Sequence, residues 1–93
     1  MSRKSERQEA REVVASYHQA SLAELVAHVA DAVDRFREGD IDAFDVDQVL
    51  FHYSRAAKEL WKFCNVANVE MTAHEVRGGL SIDWWERAAP RPR

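Results

Sequence analysis

Ninety-three residues with a net charge of −3 and an apolar share of 46% describe one small domain with a single core. Apolar runs never exceed three residues, so the sequence contains neither a membrane span nor the core of a signal peptide. One cysteine forms no internal disulfide and no thiolate zinc cluster, and the mildly acidic balance disfavours a dedicated nucleic-acid binder. We therefore expect a soluble cytoplasmic protein without a membrane partner.

The first long segment without glycine or proline, residues 5–38, is rich in helix-forming residues and predicts one helix. Its apolar residues recur at steps of three and four, as in the seam of a coiled coil. At 1.5 Å per residue this helix would be about 50 Å long. The stripe consists of Leu22, Leu25, Val26, Val29, Ala32, Val33 and Phe36.

Residues 39–41 read as a turn. Gly39 suits the left-handed position that follows a helix, and Asp42 suits the N-cap of the next one, with Asp45 in its first turn. Ile41 and Val46 match a hydrophobic staple across that cap. The chain is therefore expected to stop, turn and restart as a helix here.

The second segment, residues 42–77, carries another stripe, but its helix signal weakens beyond Cys64. One interpretation is a single helix to residue 77, which the matched segment lengths favour. The other is a break near Asn68 and a short third helix, supported by the capping-box pattern of Thr72 and Glu75. The stripe consists of Val46, Val49, Leu50, Tyr53, Ala56, Ala57, Leu60, Phe63 and Cys64.

These elements predict an all-α fold, a long antiparallel helical hairpin forming one domain over residues 1–93, with frayed ends at 1–4 and 88–93. After Gly79, a helical turn capped by Ser81 or Asp83 is expected, and Leu80, Ile82 and one tryptophan should fold back onto the hairpin. Folding at residues 39–40 sets a register that places His28 beside His52.

The apolar stripes are wider than two helices can bury against each other. We expect the excess to pack against a second copy, giving an antiparallel four-helix bundle, or against a different protein. Tryptophan and phenylalanine are the natural anchors of such contacts. The candidate interface residues are Phe36, Phe44, Phe51, Trp61, Trp84 and Trp85.

The histidines raise the question of a metal site. Glu24 and His28 lie four residues apart and could chelate, as could Glu70 and His74, but di-iron bundles use Glu and His three apart. We therefore predict no metal site and no cofactor. A small ligand site or a pH-sensitive pair formed by His28 and His52 is the remaining alternative. The acidic run of residues 40–47 is interpreted as helix capping rather than as a calcium loop.

The charges are polarised along the chain. Basic residues open the first helix, and others end the chain, so a hairpin should gather them into one basic pole, while residues 31–47 form an acidic turn. Nucleic-acid contact is the function that this pole would support. The basic residues are Arg3, Lys4, Arg7 and Arg11, followed by Arg87, Arg91 and Arg93.

These observations predict a non-enzymatic helical interaction module with no catalytic residues. Its size and charge are typical of small homodimeric accessory or antitoxin-like bacterial proteins that regulate a protein partner through helix faces. The alternatives are a nucleic-acid-associated regulator using the basic pole, and a small metal or ligand site in the bundle.

Overall fold

The computed structural model describes residues 3–90, and within that range the secondary structure is entirely helical. A 35-residue helix and a 23-residue helix form the predicted antiparallel hairpin, and two short helices follow. The all-α fold class is thereby confirmed. The helices are α1 (Arg3–Arg37), α2 (Ala43–Asn65), α3 (Val69–Arg77) and α4 (Trp84–Arg87).

The turn between α1 and α2 forms as predicted. Gly39 has φ +83°, the left-handed conformation that a side chain would strain. Asp42 caps α2 through a reciprocal capping box: its Oδ1 accepts from the amide of Asp45 at 2.9 Å, and Asp45 Oδ2 accepts from the amide of Asp42 at 3.0 Å. Two orphan amides are thus satisfied within one turn, which fixes where α2 begins.

The second segment is broken, as its second interpretation proposed. Asn68 caps α3, and its Oδ1 accepts hydrogen bonds from the amides of Glu70 at 2.8 Å and Met71 at 3.3 Å. Thr72 is not the cap, because its hydroxyl donates to the carbonyl of Asn68 at 3.2 Å inside the first turn. Asparagine competes well for backbone amides in this way, so Asn68 starts a new helix after α2 has ended at Asn65.

The C-terminal segment folds back as expected. Gly79, with φ +86°, reverses the chain after α3, and Asp83 caps α4 by accepting from the amide of Glu86 at 3.0 Å. The predicted frayed ends fall partly on residues 1–2 and 91–93, which lie outside the described residues. Within the described residues, Arg3 and Lys4 belong to α1.

The core runs along the hairpin and is closed by α3 and Trp84. Small side chains line the contact between α1 and α2, where Ser21, Ala32 and Ala56 are buried beside Leu25 and Leu60. The resulting shape is elongated and flat, 57 × 30 × 19 Å. Since a helix with its side chains is about 10–12 Å across, the short dimension corresponds to less than two full helix layers. None of the described helices has an apolar stretch long enough to cross a bilayer.

Candidate interaction surface

Trp85 closes one side of the hairpin by inserting its indole between two histidines. The ring of His28 on α1 stacks on it at a centroid distance of 4.1 Å, and the ring of His52 on α2 stacks on its other face at 3.6 Å. Nε2 of His52 also donates to the carbonyl of Trp85 at 2.7 Å, so this nitrogen carries the proton. The predicted register therefore gives the correct position of His28 and His52 along the hairpin. The two rings do not touch each other, because the indole of Trp85 lies between them.

Trp84 fixes the same segment from inside the core. Its side chain is buried, its Nε1 donates to the hydroxyl of Tyr17 at 2.8 Å, and its ring packs on Phe63 at a centroid distance of 5.4 Å. Trp84 was expected at an interface with another molecule; the structure instead uses it to join α4 to α1 and α2. Arg87 lies 5.3 Å above the outer face of this ring.

The opposite side of the hairpin is left uncovered. Val26 lies two residues from His28, and Leu50 lies two residues from His52. Two residues on a helix are separated by about 200° around its axis, so each pair points to nearly opposite sides. Because both histidines face Trp85, Val26 and Leu50 both project from the other side. We call this surface the open face. It consists of Val26, Val29 and Val33 of α1 and Leu50, Ala57 and Trp61 of α2.

Large apolar side chains on the open face are half accessible to solvent. The exposed fractions are 49% for Val26, 46% for Leu50 and 55% for Trp61. Val29, Val33 and Ala57 are partly buried between them, so the surface is continuous along both helices. Contiguous exposed apolar surface of this kind marks an interaction site more often than isolated apolar residues do.

The open face also lacks negative charge along α1. No carboxylate of α1 lies three, four or seven positions from Val26, Val29 or Val33, so its acids project elsewhere. On α2, Asp47 lies three positions before Leu50 at the turn end of the face. Desolvating this surface on binding therefore costs little, since few charged groups lose water.

The other predicted interface residues occupy different places. Phe44 and Phe51 lie seven positions apart on the outward side of α2 and are 82% and 55% exposed, and Phe36 lies beside the turn. Only Trp61 of the six belongs to the open face. In the sequence, Val26 and Leu50 lie on the apolar stripes, and the excess width of those stripes was the signal that some of their residues would stay uncovered.

The basic residues of α1 form an exposed row. Lys4, Arg7 and Arg11 follow one another at steps of three and four, and the Nε of Arg7 lies 4.0 Å from Glu70 of α3. Arg87 does not join them, because it contacts Trp84 farther along the hairpin. Arg91 and Arg93 lie outside the described residues.

The titratable groups do not converge on a reactive centre in the part of the chain that the structure describes. There, no three side chains among His, Cys, Asp and Glu come together as a metal site. Cys64 is buried in the core, and loss of solvent raises the pKa of its thiol, which keeps it protonated and unreactive. A ligand site between His28 and His52 would require the indole of Trp85 to leave.

Comparisons with models of protein families, with curated proteins and with solved structures gave no match. The open face and the contacts that close the opposite side of the hairpin are the features that bear on function.

Proposed function

We propose that this protein is a non-enzymatic helical interaction module that binds protein through its open face. The observation that carries the proposal is the half-exposed aliphatic and aromatic surface formed by Val26, Leu50 and Trp61. At about 25 cal/mol per Å² of apolar surface removed from water, covering such a surface is a substantial driving force for association. A regulatory, antitoxin-like role follows if the bound protein is an effector.

A photoreactive aromatic residue placed in the open face tests this proposal. Trp61 would be replaced by benzoylphenylalanine, which retains an aromatic side chain, and Phe44 would carry the same probe on the outward side as a matched control. After irradiation in the native host, we expect covalent protein adducts from position 61 and few from position 44. The mass of each adduct shows whether the bound protein is a second copy or a different chain.

A charged substitution in the open face provides a second test of the proposal. Leu50→Glu should abolish the adducts from position 61, because an unpaired carboxylate would have to be desolvated on binding. Phe51→Glu, a charge on the neighbouring and similarly exposed side chain, should leave them unchanged. Equal adduct yields from positions 61 and 44, unaffected by Leu50→Glu, would contradict the proposal.

A second candidate function is contact with nucleic acid through the row formed by Lys4, Arg7 and Arg11. Their exposure and common face favour it. Each phosphate neutralised should contribute a slope of about −0.9 to a plot of log affinity against log salt for duplex DNA. Binding with a steep salt dependence that Arg11→Gln reduces by about one would support this function. Absence of binding at low salt would remove it.

A further inference from the structure

We propose that the occupant of the open face is a second copy of this chain, packed in the antiparallel direction to form a four-helix bundle. This inference rests on the proposed function, since it names the partner of the same surface. It is carried by the geometry of the face, by the area that the face offers and by the distribution of charge along the hairpin.

The open face is the kind of surface that another helical hairpin fits. Its side chains come from two antiparallel helices and repeat at steps of three, four and seven, the spacing that lets helices interdigitate in bundles. A two-fold axis brings the same surface of both subunits into contact. The helical spacing of side chains on one copy therefore meets the same helical spacing on the other. Trp85 and α4 pack on the histidine side of the hairpin, and Leu50 and Trp61 stay half exposed on the other side of α2.

The area is of the order that a stable dimer needs. On α2 the open face runs over twelve residues, from Leu50 to Trp61, and a second hairpin laid along it would contact α2 as far as the turn, about 27 Å, over a width of two helices, about 20 Å. The flat footprint is therefore about 540 Å² per copy. Corrugation of the side chains adds to this area, and specific complexes typically bury about 800 Å² per partner.

The levels of the residues along the hairpin fit a two-fold axis. His28 and His52 flank one indole and therefore lie at the same level. Trp61 lies nine residues from His52, about 13 Å to one side, and Phe36 lies eight residues from His28, about 12 Å to the other. The two-fold axis would lie in the interface, perpendicular to the helices, at the level of the histidines between Val26 and Val29. It would bring Trp61 of each copy over the turn end of its partner, beside Phe36.

Charge selects the antiparallel direction. The turn end is strongly acidic, and a parallel dimer would place two such ends together. In the antiparallel dimer each acidic end lies near the partner's Trp61, beside the exposed Lys58, while the neighbouring Lys62 is paired with Glu59 at 3.6 Å. The acids of the turn end are Asp31, Asp34, Glu38, Asp40, Asp42, Asp45 and Asp47, against Arg35 and Arg37.

Light scattering on the purified full chain tests the stoichiometry. We expect a mass twice the 10.7 kDa of the single chain at micromolar concentration. Leu50→Glu should weaken the dimer by roughly 100-fold or more, because two buried carboxylates lose water without gaining a partner. Phe51→Glu is the matched control and should remain dimeric. Circular dichroism of both variants verifies that the helices are intact, and Leu50→Ala provides a milder change if Leu50→Glu unfolds.

A disulfide tests the direction. Ser54 lies two residues from His52 and four from Leu50, so in the antiparallel dimer the two copies of Ser54 differ in level by about 6 Å. Ala43 lies nine residues from His52, and its two copies differ by about 27 Å. Ser54→Cys should therefore form an intermolecular disulfide, whereas Ala43→Cys and the wild-type chain with buried Cys64 should not.

The results separate this inference from the proposed function. A monomer at submillimolar concentration with no Ser54→Cys disulfide would overturn self-association, while adducts from position 61 to a different protein would still support an interaction module. A dimer that Leu50→Glu leaves intact would also overturn the inference, because the contact would then lie elsewhere. A disulfide from Ala43→Cys would overturn the antiparallel direction, because only a parallel dimer places the two copies of Ala43 at the same level.

Discussion

The hydrogen bond between Trp84 and Tyr17 gives the sharpest test of how the C-terminal segment is attached. Tyr17→Phe removes the acceptor and leaves the indole N–H of Trp84 buried without a partner. Such an orphaned donor costs about 1–3 kcal/mol. In a domain of this size, each kcal/mol lowers the melting temperature by about 4–8 °C, so we expect a decrease of about 5–20 °C.

A double-mutant cycle isolates this bond from the packing around it. Trp84→Phe removes the donor together with part of the ring that packs on Phe63. In the double variant of Tyr17→Phe and Trp84→Phe neither polar group remains. The double variant should therefore be more stable than the sum of the single changes predicts, by about 1 kcal/mol or more.

Urea denaturation followed by circular dichroism at one protein concentration measures all four free energies of unfolding. Tyr53→Phe is the matched control, since the hydroxyl of Tyr53 bonds to none of the described residues, and its effect should stay within about 0.5 kcal/mol. Additive single effects, with Tyr17→Phe as mild as this control, would refute the reasoning. They would mean that the indole N–H of Trp84 is hydrated in solution and that α4 is not docked on Tyr17.

Three further predictions concern the core and the turns. Leu60→Ala should destabilise the chain by about 2–5 kcal/mol in urea denaturation, because Leu60 is fully buried; a loss below 1 kcal/mol would contradict this packing. Gly39→Ala should lower the melting temperature, since φ is +83°, whereas Gly78→Ala, where φ is −73° and the added methyl makes ordinary contacts, should be tolerated; equal effects would contradict the assigned turn. Cys64 should react slowly with a thiol reagent until urea unfolds the chain, since burial raises the pKa of its thiol; fast labelling of the native protein would contradict its burial.

Local signals in the sequence were sufficient for the turn between α1 and α2. Gly39 and Asp42 act within four residues of themselves, so their effect does not depend on what the rest of the chain does. The break near Asn68 remained one of two interpretations, because the capping-box pattern of Thr72 and Glu75 indicated a new helix while the matched segment lengths favoured a continuous one. In the structure Asn68 is the cap, and Thr72 lies inside the first turn of α3.

The composition of the hairpin seam could not be predicted in the same way. A stripe of steps three and four contains both the small and the large side chains, and periodicity alone does not say which set faces the other helix. The structure brings α1 and α2 together over Ser21, Ala32 and Ala56, and leaves Val26 and Leu50 outside. Small residues permit closer approach of two helices, and the larger residues then widen the surface that remains free.

The placement of Trp85 depends on contacts distant in sequence. The register correctly set His28 and His52 at one level, but the indole that lies between them reaches there only because α3 and residues 78–83 lead the chain back across the hairpin. Adjacent tryptophans look equivalent in the sequence. The cap at Asp83 sets the rotation of α4 and so decides that Trp84 enters the core and Trp85 enters the histidine pair.

The two sides of the hairpin differ in a way that indicates what each can bind. A helix as short as α4 leaves carbonyls without intrahelical partners, and the covered side supplies donors for them: Nε2 of His52 for the carbonyl of Trp85, and Nε of Arg55 for that of Ala88 at 3.3 Å. The open face is formed by valine, leucine, alanine and tryptophan, which offer almost no such donors. It therefore suits an element that satisfies its own backbone, and a long helix does so along its whole length. The second copy of the hairpin brings two of them, with apolar side chains at matching levels.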